Sequence, residues 1–344
     1  MAGVATYDLA IGGQSASSAR RDSDRQLLSL MVDLSMDGTG GRCTAELGDP
    51  EYTPPQAGDP FTVKLTGDDG ETQVFKGDVE AVETTATSQR VMGSDGLVKL
   101  ARLDLAQVYE NVNVDFIVKD LMQRAGVEPG KVMKGPRLAS LVIFRGPRAL
   151  NHIQKLAELC GVDLFTDGTG KAHFAGPDQP GQKRVFQYGE NVVALKLRKN
   201  QPINDGIEVW GEGAAGSKGA EKYYWLAVDL SGVQGKAALA TDGTVSSGNS
   251  GKQPAQFCSG ALRSGDAADA AAQSRMKSVA GRLVQGHIKV FGAPAVMPGD
   301  LIEVEGLPAH HSAKIIFEGG KSLRVRRVRH ILDMQAGFIT RMDF

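Results

Sequence analysis

The sequence predicts a mainly β, α+β chain: two β-barrel domains with an α+β module inserted between them. Three observations carry that prediction. Apolar residues alternate with polar ones near both ends of the chain, the period of a half-buried strand. Glycine is abundant, at 43 residues, which suits a chain of many tight turns better than a helical bundle. One short phrase also occurs twice, as AGDPFTVKLTG at 57–67 and as PGDLIEVEGLP at 298–308. Gly58-Asp59 answers Gly299-Asp300, and Phe61 and Val63 answer Ile302 and Val304.

The first barrel domain is expected over 1–105. Leu28, Leu30, Val32, Leu34 and Met36 alternate with Ser29, Met31, Asp33 and Ser35, and Cys43, Ala45 and Leu47 alternate after the DGTGG turn at 37–41. The Gly58-Asp59 strand, the GDDG turn at 67–70, and strands at 74–82 and 97–103 complete it. The α+β module follows over 106–187. Asp115 reads as the cap of a helix with Ile117, Val118, Leu121 and Met122 on one face, stopped by Gly126. A second helix from Ala149 carries Leu150, Ile153, Leu156 and Cys160 on one face and ends at Gly161, and a hairpin spans 162–174.

The second barrel domain is read as split, over 188–235 and 286–344, with its early strands at 188–210. The Gly-, Ala- and Ser-rich stretch 211–256 reads as loops, anchored by Tyr223, Tyr224 and Trp225. Residues 236–285 form a loop-rich insertion with one helix near 266–283, expected to pack on the α+β module. The spacing supports a duplication. Gly58 and Gly96 stand 38 positions apart, as do Gly299 and Gly337, and LVKLARLD and FITRMDF follow the second glycine of each pair. The segments between, VFKGDVEAV and LRVRRVRHI, align only with a shift of a few residues.

A chain of 344 residues accommodates two or three domains, and 41% hydrophobic with 23% charged residues is ordinary for a globular protein. A net charge of −1 argues against a molecule built as a whole for nucleic acid or acidic membranes. No amino-terminal apolar block resembles a signal peptide and no run reaches the length of a membrane span, so classical secretion and stable membrane anchoring are not expected. Cys43, Cys160 and Cys258 are odd in number and lack CxxC spacing. They read as small hydrophobes of a reducing cytosol, not as a disulfide frame or zinc site.

Catalytic and cofactor motifs do not assemble. GEGAAGSKG at 211–219 lacks the G-x-x-x-x-G-K-[ST] order of a phosphate loop. His152 and Cys160 lie two helical turns apart, roughly 12 Å along the axis, too far for a nucleophile and its base. His310 and His311 have no spaced third ligand. The densest charge cluster, RVRRVRH at 324–330, would as a strand put Arg324 and Arg326 on one face and Arg327 and Arg329 on the other. Aromatic residues for base stacking are absent nearby. No catalytic, cofactor-binding or metal-binding residue is assigned.

Against this background, ALNHIQKLAELCGVDLFTDGTGKAHF at 149–174 resembles the helix-plus-hairpin signature of phage tail-hub proteins, the late control gene D family, related to the amino-terminal part of VgrG. VDFIVKDLMQRAGV at 114–127 and VFGAPAVMPGDLIEVEGL at 290–307 resemble that family's preceding helix and late barrel strand. The resemblance implies two barrels, each similar to a tail-tube subunit, and a homotrimer that offers six barrels to a hexameric tail-tube protein and threefold symmetry to a trimeric spike protein. It implies a virion structural protein of a tail baseplate, in a contractile tail or injection system, assembled in the host cytoplasm. Baseplate wedge and tape-measure proteins would be further partners, and sequence-specific nucleic acid would not. VgrG relatives continue into a spike, so a separate spike protein is expected. Arg324, Arg326, Arg327 and Arg329 are then expected to meet acidic residues of a neighbouring subunit. Two other readings stay open: a tail-associated peptidoglycan hydrolase and a VgrG-like effector carrier.

Overall fold

A computed structural model describes residues 6–18, 26–38, 40–48, 53–67, 70–212, 233–241, 243–318, 320–335 and 337–344. The first strands are β1 (Tyr7–Ile11), β2 (Gln14–Ser17), β3 (Leu27–Ser35), β4 (Arg42–Gly48), β5 (Pro60–Gly67), β6 (Gly70–Thr84) and β7 (Ser88–Ser94). Then come α1 (Leu97–Arg102), β8 (Gln107–Asn113), α2 (Val114–Arg124), β9 (Pro129–Val132), β10 (Arg137–Ile143), α3 (Ala149–Cys160), β11 (Asp163–Thr166) and β12 (Ala172–Ala175). They are followed by β13 (Lys183–Gln187), β14 (Val192–Lys199), β15 (Gly206–Trp210), β16 (Gln234–Leu239), β17 (Val245–Ser247), β18 (Pro254–Cys258) and α4 (Gly265–Ala280). The last elements are β19 (Val284–Phe291), β20 (Leu301–Glu305), α5 (Lys314–Phe317), β21 (Leu323–Arg324), β22 (Arg327–Asp333) and β23 (Gly337–Asp343).

Alternation in the sequence becomes sidedness in the sheet. In β3 the side chains of Leu30, Val32 and Leu34 are buried and those between them are not, and β4 answers with Cys43, Ala45 and Leu47. These residues share a core with Phe61, Val63, Phe75 and Val91. A separate core near the far end joins Ile288, Val290, Ile302, Val304, Val325, Val328 and Met342. Strands from both sets nevertheless share one eleven-stranded sheet, in the order β14-β19-β23-β22-β3-β4-β7-β6-β5-β1-β2. The antiparallel pairing of β22 with β3 joins them. A short sheet β13-β20-β21 completes the second set.

The two sets share a wiring pattern. The pairings β3·β4, β4·β7, β7·β6, β6·β5 and β5·β1 have counterparts, in the same chain order, in β14·β19, β19·β23, β23·β22, β21·β20 and β20·β13. The short β21 and the longer β22 together stand where β6 stands. One difference is direction: β5·β1 is antiparallel and β20·β13 is parallel.

A third core holds α1, α2, α3 and α4 together, with Leu100, Ile117, Leu121, Ile153, Phe174, Ala268 and Met276 among its fully buried residues. Helix α3 ends at Gly161 with φ 64°, where an L-residue would be strained. Helix α4 starts at Ser264, whose hydroxyl accepts from the Ala267 N–H at 3.3 Å. No helix among the described residues is long and apolar enough to cross a membrane.

Four expectations change. Residues 97–103 form helix α1 rather than a strand: Leu97 and Leu100 share one face, and Asp95 Oδ1 accepts from the Leu97 N–H at 2.9 Å. Helix α2 starts after Asn113, which holds the N-cap position without a side-chain cap hydrogen bond, and Asp115 lies inside the first turn. Strand β15, read as an early strand of the second barrel, pairs instead with β16 and β18 in a four-stranded sheet. Three strands, β16 to β18, occupy the described part of the stretch read as loops. Their small residues have a packing reason: a Cβ at Gly235 would lie 2.1 Å from the Ala268 carbonyl of α4, so the helix rests on nearly bare backbone. The phosphate-loop look-alike beyond Glu212, the Tyr223-Tyr224-Trp225 anchor, and the tips of the turns at Thr39 and at 68–69 lie outside the described residues.

Candidate assembly site: two matching corners and the joint between them

The doubled phrase folds into two corners with the same hydrogen bonds. At the first, Gly58 has φ 95°, its N–H donates to Val79 O at 2.8 Å, and the Val79 N–H donates to Asp59 O at 2.8 Å. At the second, Gly299 has φ 94°, its N–H donates to Val325 O at 2.8 Å, and the Val325 N–H donates to Asp300 O at 2.8 Å. The aspartates match as well. Asp59 Oδ2 accepts from the Gln56 N–H at 2.8 Å, and Asp300 Oδ2 accepts from the Met297 N–H at 3.1 Å. Glycine supplies the positive φ and aspartate closes the loop on its own backbone, which is why these two residue types recur together. Asp300 carries an extra load: it is buried and also takes Arg184 Nε at 2.8 Å and the Gln182 N–H at 2.8 Å.

The other two glycines of the spacing argument do not match each other. Gly337 has φ 69° and opens β23, whereas Gly96 has φ −63° and leads into α1. Their equal distance from the corners is not a structural correspondence.

Arginines line the joint where β22 meets β3. Arg327 Nε donates to Asp33 Oδ1 at 2.7 Å, and Arg329 Nε donates to Asp33 Oδ2 at 3.2 Å. On the opposite side Arg326 bonds both Asp37 and Asp163, and Arg324 Nη1 reaches Asp163 Oδ2 at 2.5 Å. Arg282 adds a contact to Asp163 at 3.3 Å. The sidedness expected of the RVRRVRH segment is present, but its carboxylate partners belong to the same chain. The reason is the β22·β3 pairing, which brings the chain's own first strand set to this edge. The partners extend to the module, since Asp163 starts β11 directly after helix α3.

Burial on its own would raise the Asp163 carboxyl; Arg326 and Arg324 outweigh it and hold the group below the usual carboxylate range. Burial likewise opposes the charge of Arg326, yet Asp37 and Asp163 hold it above its ordinary value. Arg324 shares one carboxylate with Arg326 and Arg282, and burial leaves it lowered. Next to these, His330 sits fully buried on β22 with Nδ1 3.0 Å from the Thr340 hydroxyl, and burial pushes it down to about 4.

Sequence reasoning missed Asp95. It is buried, accepts from the Gly41 N–H, the Leu97 N–H and the Thr166 hydroxyl, and so ties the β3–β4 turn, α1 and β11 together. Burial raises its carboxyl. Its only local signal was its place one residue before Gly96, since two of its partners are remote in sequence.

This arrangement holds elements together and offers little chemistry. An open cleft of about 500 Å³ lies over the joint, lined by Asp33, Asp37, Arg326, Arg327, Arg329, Arg341 and Asp343. These are arginine–aspartate pairs, not a nucleophile beside a base. Cys160 is buried and its thiol is pushed up to about 12 by that burial, the state of an inert thiol. His152 packs edge-on against Phe144, with ring centroids 5.9 Å apart. Among the described residues, no three His, Cys, Asp or Glu side chains are placed to hold a metal ion.

No family model matches the sequence, and no curated protein matches it. Solved structures do match. The 43 kDa tail protein of prophage MuSo2 from Shewanella oneidensis superposes with a TM-score of 0.67 at 14% identity, over 98% of this chain and 97% of that one. A tail protein from Neisseria meningitidis gives 0.67 at 13% identity, over 99% and 96%. A type VI secretion component of Escherichia coli, described as structurally similar to the bacteriophage T4 tail proteins gp27 and gp5, gives 0.58 at 13% identity, over 97% and 75%. The chain has the fold of phage-tail and secretion-tail proteins.

Proposed function

We propose that this protein is the structural hub of a phage-type tail, a homotrimer that joins a hexameric tail tube to a trimeric spike. The observation that carries the reading is the repeated strand wiring with its matching Gly-Asp corners. A chain holding two similar strand sets presents six such units when three chains form a closed ring, and a ring of six matches a sixfold tube. Its other face keeps threefold symmetry for the spike. The function is geometric: the protein fixes symmetry, starts tube polymerisation and leaves a channel along the axis.

Each strand set is a tail-tube-like barrel whose open edges are completed by neighbours. Unpaired edges left in a lone chain would otherwise invite uncontrolled pairing. The α+β module sits away from the ring and meets the spike or wedge proteins. Exposed apolar residues on it, Val108 and Val142 on the β8–β10 pair, Phe144 just after β10 and Phe116 on α2, support that placement. The full-length likeness to tail proteins supports the setting. The native mass of the purified chain, measured over a range of concentrations with and without its spike, tests the reading. A mass three times that of the 36.4 kDa chain is expected in either condition. A monomer in both contradicts it.

A further inference from the structure

The internal joint contains the plan of a second joint that the single chain cannot make. Strand β22 lies in the sheet between β23 and β3. Its counterpart in the first set is the second half of β6, which pairs with β7 through Thr84 on one side. On the other side β5 stops pairing at Asp78, and among the described residues no strand pairs with 80–84. The counterpart of β3 is β14, which pairs with β19 and ends the eleven-stranded sheet. The chain therefore carries one formed joint and both halves of an unformed one.

The register of the unformed joint follows from landmarks on each strand. Val79 and Val325 make the same corner hydrogen bonds, so Glu83 and Arg329, each four residues further on, are equivalent. On the other strand a bulge falls at the same place, after Leu27 in β3 and after Val192 in β14. Asp33 and Arg198, each six residues past it, are equivalent. In the formed joint Arg329 stands directly opposite Asp33 and bonds it. Repeating that geometry sets Glu83 opposite Arg198, with the two charges exchanged.

We propose that β14 of one copy of this chain pairs antiparallel with residues 80–84 of β6 in a second copy, with Glu83 facing Arg198. The wider charge pattern agrees: Glu80 and Glu83 lie on one edge, and Lys196, Arg198 and Lys199 on the other. Glu83 is well exposed and meets Arg90 at 3.6 Å, while Arg198 is exposed and reaches Gln285 at 3.2 Å. Both groups are therefore free to be recruited. The contact joins two different patches, so successive copies close into a ring or run on as a filament. The charge exchange also provides selectivity. A second β22 edge offered to β14 would set Arg329 against Arg198, and like charges directly opposite one another are destabilising.

This inference rests on the proposed ring, and sedimentation velocity of four full-length proteins separates the two. Wild type is expected to assemble. Glu83→Arg and Arg198→Glu are each expected to weaken assembly at least tenfold, and the double variant Glu83→Arg/Arg198→Glu to regain it. Because both side chains are at the surface, far-UV circular dichroism of each variant should match wild type, and rescue by the double variant cannot come from a misfolded chain. Single variants that assemble like wild type overturn this contact and leave the hub reading intact. Single losses without rescue in the double variant overturn it as well. Wild-type protein that stays monomeric at every concentration, alone and with its spike, overturns both.

Discussion

His330 is the residue whose chemistry reports most directly on the joint. It is fully buried on β22, opposite Val32 of β3, and its folded value is about 4, well below the 6.5 of a free histidine. Between these values the unfolded chain binds the proton and the folded chain does not, so stability rises with pH across that window and falls as pH drops through it. Unfolding by urea should therefore show a loss of about 2 kcal/mol from pH 7 to pH 5 that is absent in His330→Gln. An equal slope in both proteins would show that His330 is not buried neutral. Asp163 works in the opposite range. Its lowered carboxyl contributes stability above the ordinary carboxylate value, and that contribution disappears as pH falls further. Neither role was legible in the sequence. His330 reads as the end of a basic run, and Asp163 as one surface charge among 40 acidic residues, because their partners are brought in by strand pairing.

At the scale of elements, the hairpins were legible and their partners were not. Leu30, Val32 and Leu34 alternate so regularly that β3 could face the core in one register only. Helices α3 and α4 were equally plain from their apolar stripe and propensity. Helix α1 was misread because six residues are too few to separate a period of two from one of 3.6, and because the equal glycine spacing suggested a strand. Strands β16 to β18 were missed because packing under α4 selects glycine and alanine, residues that read as loop. The two corners make a sharp prediction. Gly58→Ala and Gly299→Ala should each cost about 1–3 kcal/mol, from positive φ alone. A Cβ at Gly58 meets nothing within 4 Å, and one at Gly299 makes ordinary contact with Phe165 at 3.4 Å. Gly96→Ala, at φ −63°, should change stability by less than about 1 kcal/mol. Denaturant midpoints of the three variants measure this. A Gly96 variant as costly as the other two would restore the equivalence that the backbone angles reject.

For the whole molecule, the doubled phrase was the most informative stretch of sequence, and it was informative about an internal repeat rather than chemistry. The chain repeats a strand set, joins its two copies through β22 and β3, and leaves one edge of β14 and residues 80–84 of β6 without a strand partner on that side among the described residues. In the proposed hub, three such chains make a ring of six similar units. Electron cryomicroscopy of the assembled protein viewed along its axis tests it most directly. Three chains are expected, with six strand sets surrounding one channel, near-sixfold on one face and threefold on the other. A particle with any other number of chains, or strand sets that do not meet edge to edge around a channel, would contradict it.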